Sequence, residues 1–409
     1  MTMILKARYV APVDRPVIEN GSVQIEAGRI TAVGTAAKFP SQMMIDYGDA
    51  VICPAFVNAH THLELSHLRG KVPPSSDLVD WLCRLVTVSK DAPSTPESVA
   101  RAVNAAIRHS VSCGVTCFGD ITRIPALTRG PLAESGLHVV SFGEVIAIGT
   151  RRDLLDERLE AAALTERESS RLRIGISPHA PYSVEPDGLA ACARKAQQMN
   201  APLCIHLAES RDEDAFTRHG TGPFADLGRR LGIWDEDVPI SGCSPVELAF
   251  RTGVLTRRTV IAHGNYLTES DIELITESGA SVAYCPRTHA AFGHEPHPFR
   301  KLLASGVNVC IGTDSLASNP SLSVLDELRF MSKRDPGFPG ETLLAMGTLH
   351  GAHAIGFADE LGSISPGKCA DLAVIPIEST TKGWSAIFDG SHPPVAVYHD
   401  GEQVDVNAD

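Results

Sequence analysis

The stretch VICPAFVNAHTH, residues 51–62, determines how the rest of the chain is interpreted. Its first seven residues are apolar or small and predict a buried strand, and two histidines one residue apart follow closely. Side chains at positions i and i+2 of a strand project to the same side, so His60 and His62 can face one point. A metal ion would explain such a pair, and a crowded surface turn is the alternative.

The middle of the chain alternates apolar segments with helical stretches. Eight strands are predicted from these segments, at residues 51–57, 115–119, 139–144, 172–177, 202–206, 259–263, 281–284 and 307–313. Several are continuous apolar runs, as expected where both faces of a sheet are buried. Eight strands in β/α alternation predict an α/β fold, a (β/α)8 TIM barrel over residues 51–361.

The two chain ends differ from the middle in their sequence pattern. Short alternating strands joined by glycine turns occupy residues 1–50, and similar segments return after residue 362. Neither end is long enough to bury a core alone. We therefore predict that residues 1–50 and 362–409 combine into one small composite β-sandwich.

Composition and charge exclude several classes of protein. The net charge of −13 argues against non-specific binding to nucleic acid or to an anionic membrane surface. No apolar stretch has the roughly 18 residues that a membrane helix requires, and the N-terminus does not have the pattern of a secretory signal. The ten cysteines are scattered, several of them in apolar strands, which favours reduced thiols in a cytoplasm over disulfides.

Histidine or aspartate lies at the end of five predicted strands, where catalytic groups cluster in this type of barrel. These residues are His60 and His62 after the first strand, His179 after the fourth, His206 at the fifth, His263 at the sixth and Asp314 after the eighth. One histidine alone would be explained as a core or surface residue. Five strand ends with such side chains instead predict a metal site in the barrel mouth.

The types of side chain indicate which ion would bind. A third imidazole from His206 and an oxygen from Asp314 would complete an N/O set with His60 and His62, suited to zinc or ferrous iron. One position would remain for water, whose pKa falls to about 7 on such an ion. We predict one divalent ion, with Zn²⁺ preferred over Fe²⁺.

Three residues near these strand ends suit acid–base work on a ring carbon that carries an amino group. Glu209 lies three residues beyond His206 and is placed to carry protons. His263 can stabilise charge on the attacked centre, and Asp314 can accept the proton of the water.

These motifs resemble the amidohydrolase superfamily, in its branch of metal-dependent aminohydrolases. The resemblance covers nearly the whole length and is carried by PAFVNAHTH at 54–62, the HxxE of His206 and Glu209, His263, and GTD at 312–314. It implies the same ligands and roles, hydrolytic deamination as the reaction, and a homodimer. Binuclear members of the superfamily use a carboxylated lysine at the fourth strand, but residues 174–179 contain no lysine, which favours a single ion.

A narrower resemblance concerns the substrate. The segments HLELS at 62–66, CPRTH at 285–289 and GTDSLASN at 312–319 are similar to aminodeoxyfutalosine deaminases, which serve the alternative menaquinone pathway. That substrate carries a benzoate, so we predict Arg287 as its partner, with a surface or interdomain ion pair as the alternative.

Two further residues are predicted to contact the substrate. His179 is one, with a structural histidine in a proline-rich loop as its alternative. Glu64 is the other, and would accept a hydrogen bond from ribose hydroxyls or the purine edge. Its alternative is a hydrogen bond to a histidine that ligates the metal, which would orient that histidine. His67, five residues past His62, is predicted to lie outside the chemistry.

Other functions share the same metal site. A deaminase or chlorohydrolase for adenosine, methylthioadenosine, guanine or a triazine would differ only in its pocket residues. A catalytically silent metal-binding protein is the alternative from another class, and Glu209 argues against it because a structural ion needs no proton carrier. The sequence predicts a hydrolase acting on carbon–nitrogen bonds other than peptide bonds, with a small molecule as its partner.

Overall fold

The computed structural model describes residues 2–38, 44–89, 95–380 and 384–405. Packing divides the chain into two compact units, the first of residues 1–58, 107–118 and 322–409 and the second of residues 59–106 and 119–321. Every candidate site residue lies in the second unit. Within the described residues, no helix combines the length and the hydropathy needed to cross a membrane.

Two eight-stranded sheets contain all the named strands of the described part of the chain. The strands are β1 (Thr2–Val10), β2 (Ile18–Glu26), β3 (Arg29–Thr35), β4 (Met44–Asp46), β5 (Ala50–Pro54), β6 (Phe56–Thr61), β7 (Val115–Thr122), β8 (His138–Val145), β9 (Leu172–Pro178), β10 (Leu203–Leu207), β11 (Thr259–His263), β12 (Ser281–Tyr284), β13 (Val309–Ile311), β14 (Leu372–Pro376), β15 (Ala396–His399) and β16 (Glu402–Val404). One sheet is mixed and has the order β16-β15-β14-β5-β1-β2-β3, with β4 paired to β1. The other runs from β13 to β6 in sequence order, and its recorded pairings are parallel.

Helices follow the strands of the second sheet, as βα alternation requires. Those of the described residues are α1 (Leu78–Ser89), α2 (Pro96–Ser112), α3 (Pro125–Glu134), α4 (Leu155–Ala162), α5 (Pro186–Met199), α6 (Asp212–His219), α7 (Pro223–Arg230), α8 (Pro245–Arg251), α9 (Glu269–Ser278), α10 (Pro286–Ala291), α11 (Phe299–Ala304), α12 (Val324–Arg334), α13 (Gly340–Met346), α14 (Leu349–Ala354) and α15 (Ser385–Phe388). The predicted barrel is confirmed, and so is a separate sheet from the two chain ends.

Local chemistry sets the helix boundaries. In α9, the Thr268 hydroxyl accepts from the Asp271 amide, and the Asp271 carboxylate accepts from the Thr268 amide, which is a capping box. The helix ends at Gly279, whose φ of 71° suits a residue without a side chain. Such signals were readable in the sequence.

The single strand predicted at residues 51–57 is wrong in one respect. The structure divides this run into β5, which belongs to the mixed sheet, and β6, which begins the barrel sheet. Every residue of the run is buried, so the hydrophobic pattern contains no sign of the change of sheet. Pro54, which lacks an amide hydrogen, ends the first of the two strands.

Contacts between the first and last barrel strands bring the sheet close to closure. Thr61 and Asp314 form a parallel bridge, and the amides of Thr313 and Asp314 both donate to the His60 carbonyl at 3.1 Å. A Cβ on Gly312 would lie 2.8 Å from the Cβ of His60, so only glycine allows this approach. None of the ten cysteines forms a disulfide in the structure.

Candidate active site

Four imidazoles meet in the mouth of the barrel. The ring of His60 lies 5.1 Å from those of His62 and His206 and 5.3 Å from that of His263, measured between centroids. The Nε2 atoms of His62 and His206 are 3.2 Å apart. Their strands end side by side at one edge of the sheet, so residues far apart in the sequence converge here.

Asp314 adds a carboxylate to the imidazoles. Its Oδ1 is 3.8 Å from His60 Nε2 and 3.7 Å from His62 Nε2, and its Oδ2 accepts from the Ser318 hydroxyl at 2.5 Å. Burial raises the pKa of Asp314 to about 6, although the bond from Ser318 opposes the shift. Asp314 has a φ of 56°, so a left-handed residue ends the eighth strand and turns it into the mouth.

The geometry of these atoms fits a metal ion. Neither ring nitrogen of the fully buried His60 has a hydrogen-bond partner, which is costly for a polar group. Tetrahedral zinc ligands about 2.1 Å from the ion would lie about 3.4 Å from one another. The separations of 3.2, 3.7 and 3.8 Å among His62, His206, Asp314 and His60 match that spacing closely. His60, His62 and Asp314 can therefore share an ion, and so can His60, His206 and His263.

Burial keeps the imidazoles in the form that binds metals. The pKa values of His60, His62 and His263 lie well below the usual range, because burial and the neighbouring imidazoles disfavour their charged forms. Burial likewise lowers the pKa of His206 to about 4. A neutral imidazole offers a nitrogen lone pair to an ion.

Backbone carbonyls accept hydrogen bonds from the ring of His206 and from that of a neighbouring histidine, His297. His206 donates through Nδ1 to the carbonyl of His179 at 3.0 Å, since a carbonyl can only accept, and its Nε2 is left with the lone pair. His297 donates through Nε2 to the carbonyl of His263 at 2.8 Å. His263 itself has a φ of 71° at the end of its strand. The two contacts fix the directions of the fifth and sixth strand ends.

Glu209 lies beside the cluster. Its Oε1 is 3.6 Å from His263 Nε2, and burial, together with the charge of Asp314, raises its pKa well above the usual range. The backbone at Ala208 has a φ of 51°, which turns the chain between His206 and Glu209. A carboxyl group with a raised pKa near neutral imidazoles is suited to proton transfer.

Two cavities adjoin the cluster. The inner one, of ≈140 Å³, is lined by His62, His179, His206, Glu209, His263 and Asp314 among others. The outer one, of ≈350 Å³, is lined by Glu64, His67, Arg123 and Arg158 among others. Leu65, Ser89, Arg123, Glu144 and Ile146 line both cavities, so these residues form a shared wall.

His179 is in the position that a substrate contact would need. It lines the inner cavity, and its Nδ1 is 2.7 Å from the Ser183 hydroxyl. Burial, with a smaller contribution from Arg123, lowers its pKa to about 3. Its Nε2 lies 4.0 Å from Oε1 of Glu144.

Glu64 lies at the wall of the outer cavity, and its carboxylate is hydrogen-bonded to neighbouring protein groups. Its carboxylate accepts from the Thr122 hydroxyl at 2.7 Å and from the Arg123 amide at 3.1 and 3.2 Å. It therefore ties the end of the second barrel strand to the loop after the first, and none of these bonds involves a histidine. His67 donates through Nδ1 to the Glu64 carbonyl at 2.8 Å and lies at the wall of the outer cavity.

Arg287, the predicted carboxylate partner, is not among the residues that line either of these two cavities. Arg123 lines both instead, with its Nε 3.8 Å from Oε2 of Glu144. Arg123 and Glu144 were missed in the sequence. Glu144 ends the predicted strand at 139–144, so the rule that found the histidines would also have found it.

Imidazoles and carboxylates meet beside a cavity at the strand ends of a parallel barrel. This arrangement is typical of hydrolases with a TIM-barrel fold. The chain belongs to the amidohydrolase family, whose model matches residues 51–404. It is a hydrolase that acts on carbon–nitrogen bonds.

Two curated relatives and two solved structures illustrate the similarity. A 5-methylthioadenosine/S-adenosylhomocysteine deaminase of Nitratidesulfovibrio vulgaris is 31% identical over 89% of this chain and 81% of its own length. Another, of Syntrophobacter fumaroxidans, is 31% identical over 87% and 80%. A zinc-bound adenosine deaminase of Xanthomonas campestris has a TM-score of 0.81 at 26% identity, covering 98% of this chain and 92% of that one. Helicobacter pylori aminofutalosine deaminase shares the fold, with a TM-score of 0.87 at 23% identity over 98% of this chain and all of its own.

The central position of His60 among the imidazoles predicts that it is a ligand of the ion. Replacement of His60 by Ala removes a buried nitrogen from the centre of the set, so the purified variant should lose most of its bound metal and unfold at a lower temperature. His67→Ala is the matched control, because His67 is bonded to a backbone carbonyl outside the cluster. Metal analysis and thermal unfolding measure both effects. Equal metal contents in the two variants would contradict the assignment.

Proposed function

We propose that the chain is a hydrolytic deaminase of 6-aminopurine nucleosides, with one divalent ion held by His60, His62, His206 and Asp314. The observation that carries the proposal is the position of Glu209, a buried carboxyl group 3.6 Å from His263 at the wall of the inner cavity. The names of the curated relatives support the substrate class. Zinc is the preferred ion because the donors are three imidazoles and a carboxylate, and the adenosine deaminase relative binds zinc.

The reaction exchanges an exocyclic amino group for the oxygen of water. Water adds to the ring carbon, a proton goes to the adjacent ring nitrogen, and the carbon–nitrogen bond to the amino group breaks as ammonia leaves with a further proton. A divalent ion bound at this site would lower the pKa of the attacking water. The proton transfers, the orientation of the water and the stabilisation of charge would be carried out by side chains of the protein.

Glu209 is suited to the proton transfers. Its raised pKa means that it can hold a proton for the ring nitrogen and later transfer one to the departing ammonia. Asp314 can take a proton from the water, because its Oδ1 faces the imidazoles while Ser318 holds its Oδ2. His263 is neutral and 3.6 Å from Glu209, where it can orient the water and stabilise charge at the attacked carbon.

The inner cavity would hold the heterocycle. His179 is neutral and can hydrogen-bond to a ring nitrogen without competing for a proton. Trp81 and Tyr182 supply apolar surface to the same cavity for the flat base. Trp81 also donates through Nε1 to the Val72 carbonyl at 2.9 Å.

The reaction is tested by ammonia release from a panel of aminopurine nucleosides. Glu209→Gln should lower kcat by about 10²- to 10⁴-fold with unchanged metal content, because it removes the proton carrier and no ligand. Glu269→Gln, at an exposed ion pair with Lys301, is the matched control and should keep full activity. A fully active Glu209→Gln enzyme, or no ammonia from any member of the panel, would refute the proposal.

Within this class we propose aminodeoxyfutalosine, of the alternative menaquinone pathway, as the substrate. Its benzoate would occupy the outer cavity, where Arg123 and Arg158 are the basic residues of the lining. A guanidinium group can bind a carboxylate through two parallel hydrogen bonds. Methylthioadenosine or S-adenosylhomocysteine is the second candidate, favoured by the names of the curated relatives.

Arg123, which lines the outer cavity, and Arg287, predicted from the sequence, can be compared directly as partners of the carboxylate. Arg123→Met should lower kcat/KM for aminodeoxyfutalosine by about 10- to 100-fold more than for adenosine, because only the former presents a carboxylate to the outer cavity. Arg287→Met is the matched control and should affect both substrates equally. A selective loss in Arg287→Met alone would return the role to Arg287.

A further inference from the structure

The backbone that carries Glu209 is held in an unfavourable conformation. Ala208 lies in the left-handed region, with a φ of 51°, where an alanine pays a conformational cost that glycine avoids. The turn directs the Glu209 side chain back to the cluster after β10 has ended at Leu207. Other contacts must therefore stabilise it.

Glu213 provides the first of these contacts. It is fully buried near the start of α6, and its carboxylate accepts from three successive amides: Ala208 at 2.8 Å, Glu209 at 2.6 Å and Ser210 at 3.3 Å. Glu213 lines neither cavity, so it has no contact with a substrate there. Burial raises the pKa of Glu213 to about 7, and the bonds from the three amides oppose this rise because they favour the carboxylate form.

Asn265 provides the second contact, from the loop after the sixth strand. Its side-chain amide donates to the Glu209 carbonyl at 2.9 Å, and its backbone amide donates to the Ala208 carbonyl at 2.9 Å. Asn265 is also buried. The amide of Glu209 is thus held from one side and its carbonyl from the other.

We propose that Glu213 and Asn265 are positioning residues, which together hold the Ala208 turn so that Glu209 reaches the reacting atoms. The inference rests on the proposed function, since it assigns to both residues a role through Glu209. Their bonds link the fifth and sixth strand ends, which carry His206 and His263. A shift of the turn would move the carboxyl group of Glu209 without removing any metal ligand.

Glu213→Gln is the informative substitution. Glutamine keeps the volume of the side chain, but one oxygen becomes an NH2 group that faces a backbone amide and cannot accept from it. Glu327→Gln is the matched control, because Glu327 is likewise fully buried but lies on α12, outside the site. Both variants lose stability, and only the first should disturb Glu209.

Hydrogen–deuterium exchange tests the turn without any assay of activity. In Glu213→Gln at least one of the amides of residues 208–210 should exchange about tenfold faster than in the wild type, because the amide that faces the NH2 group loses its acceptor. In Glu327→Gln this segment should be unchanged. Unchanged exchange in Glu213→Gln would overturn the inference, whatever the enzyme's substrate is.

A double-mutant cycle tests the consequence for catalysis. Glu213→Gln should lower kcat by about 100-fold with little change in KM or metal content, the effect expected of a displaced catalytic group. In the Glu209→Gln background the same change should have almost no further effect. Equal losses in both backgrounds would show a purely structural role and overturn the inference. Absence of deaminase activity in the wild type would instead refute the proposed function and leave the exchange experiment to decide about the turn.

Discussion

The contact between the first and eighth barrel strands is the constraint on which the site depends. His60 accepts two backbone hydrogen bonds there, from Thr313 and Asp314, and Gly312 makes room for its side chain. The same two strand ends carry His60, His62 and Asp314. Barrel closure and assembly of the candidate ligand set are therefore one structural event. An ion bound across this contact would stabilise the closed barrel as well as the site.

Left-handed residues recur where the site needs a change of direction. Ala208, His263 and Asp314 all have positive φ at the ends of three strands. Such residues are uncommon outside glycine, and their cost must be offset by surrounding contacts. Glu213, His297 and the bridge to Thr61 supply contacts at the three places. The site is thus maintained by a frame of backbone hydrogen bonds around it, with the reactive side chains left available.

Much of this arrangement was predictable from the sequence. Strand alternation predicted the barrel, and the rule that function lies at strand ends selected His60, His62, His206, His263 and Asp314, which the structure brings together. The split of residues 51–57 between two sheets was not predictable, because a uniformly buried run carries no periodic signal. Arg287 was chosen for its charge and its motif, but which arginine lines a cavity depends on the paths of loops far apart in the sequence. Glu213 was missed because its partners are backbone amides, which no residue pattern reveals.

The central claim is that barrel closure creates one ion site from His60, His62, His206 and Asp314. Anomalous diffraction at the zinc absorption edge, from crystals of the zinc-loaded protein, tests it directly. We expect a single strong peak bounded by these four side chains, with the Glu209 carboxyl group near it but not ligating the ion. A peak between Glu144, His179 and His206, which are also close enough to share an ion, or two peaks of similar height, would contradict it.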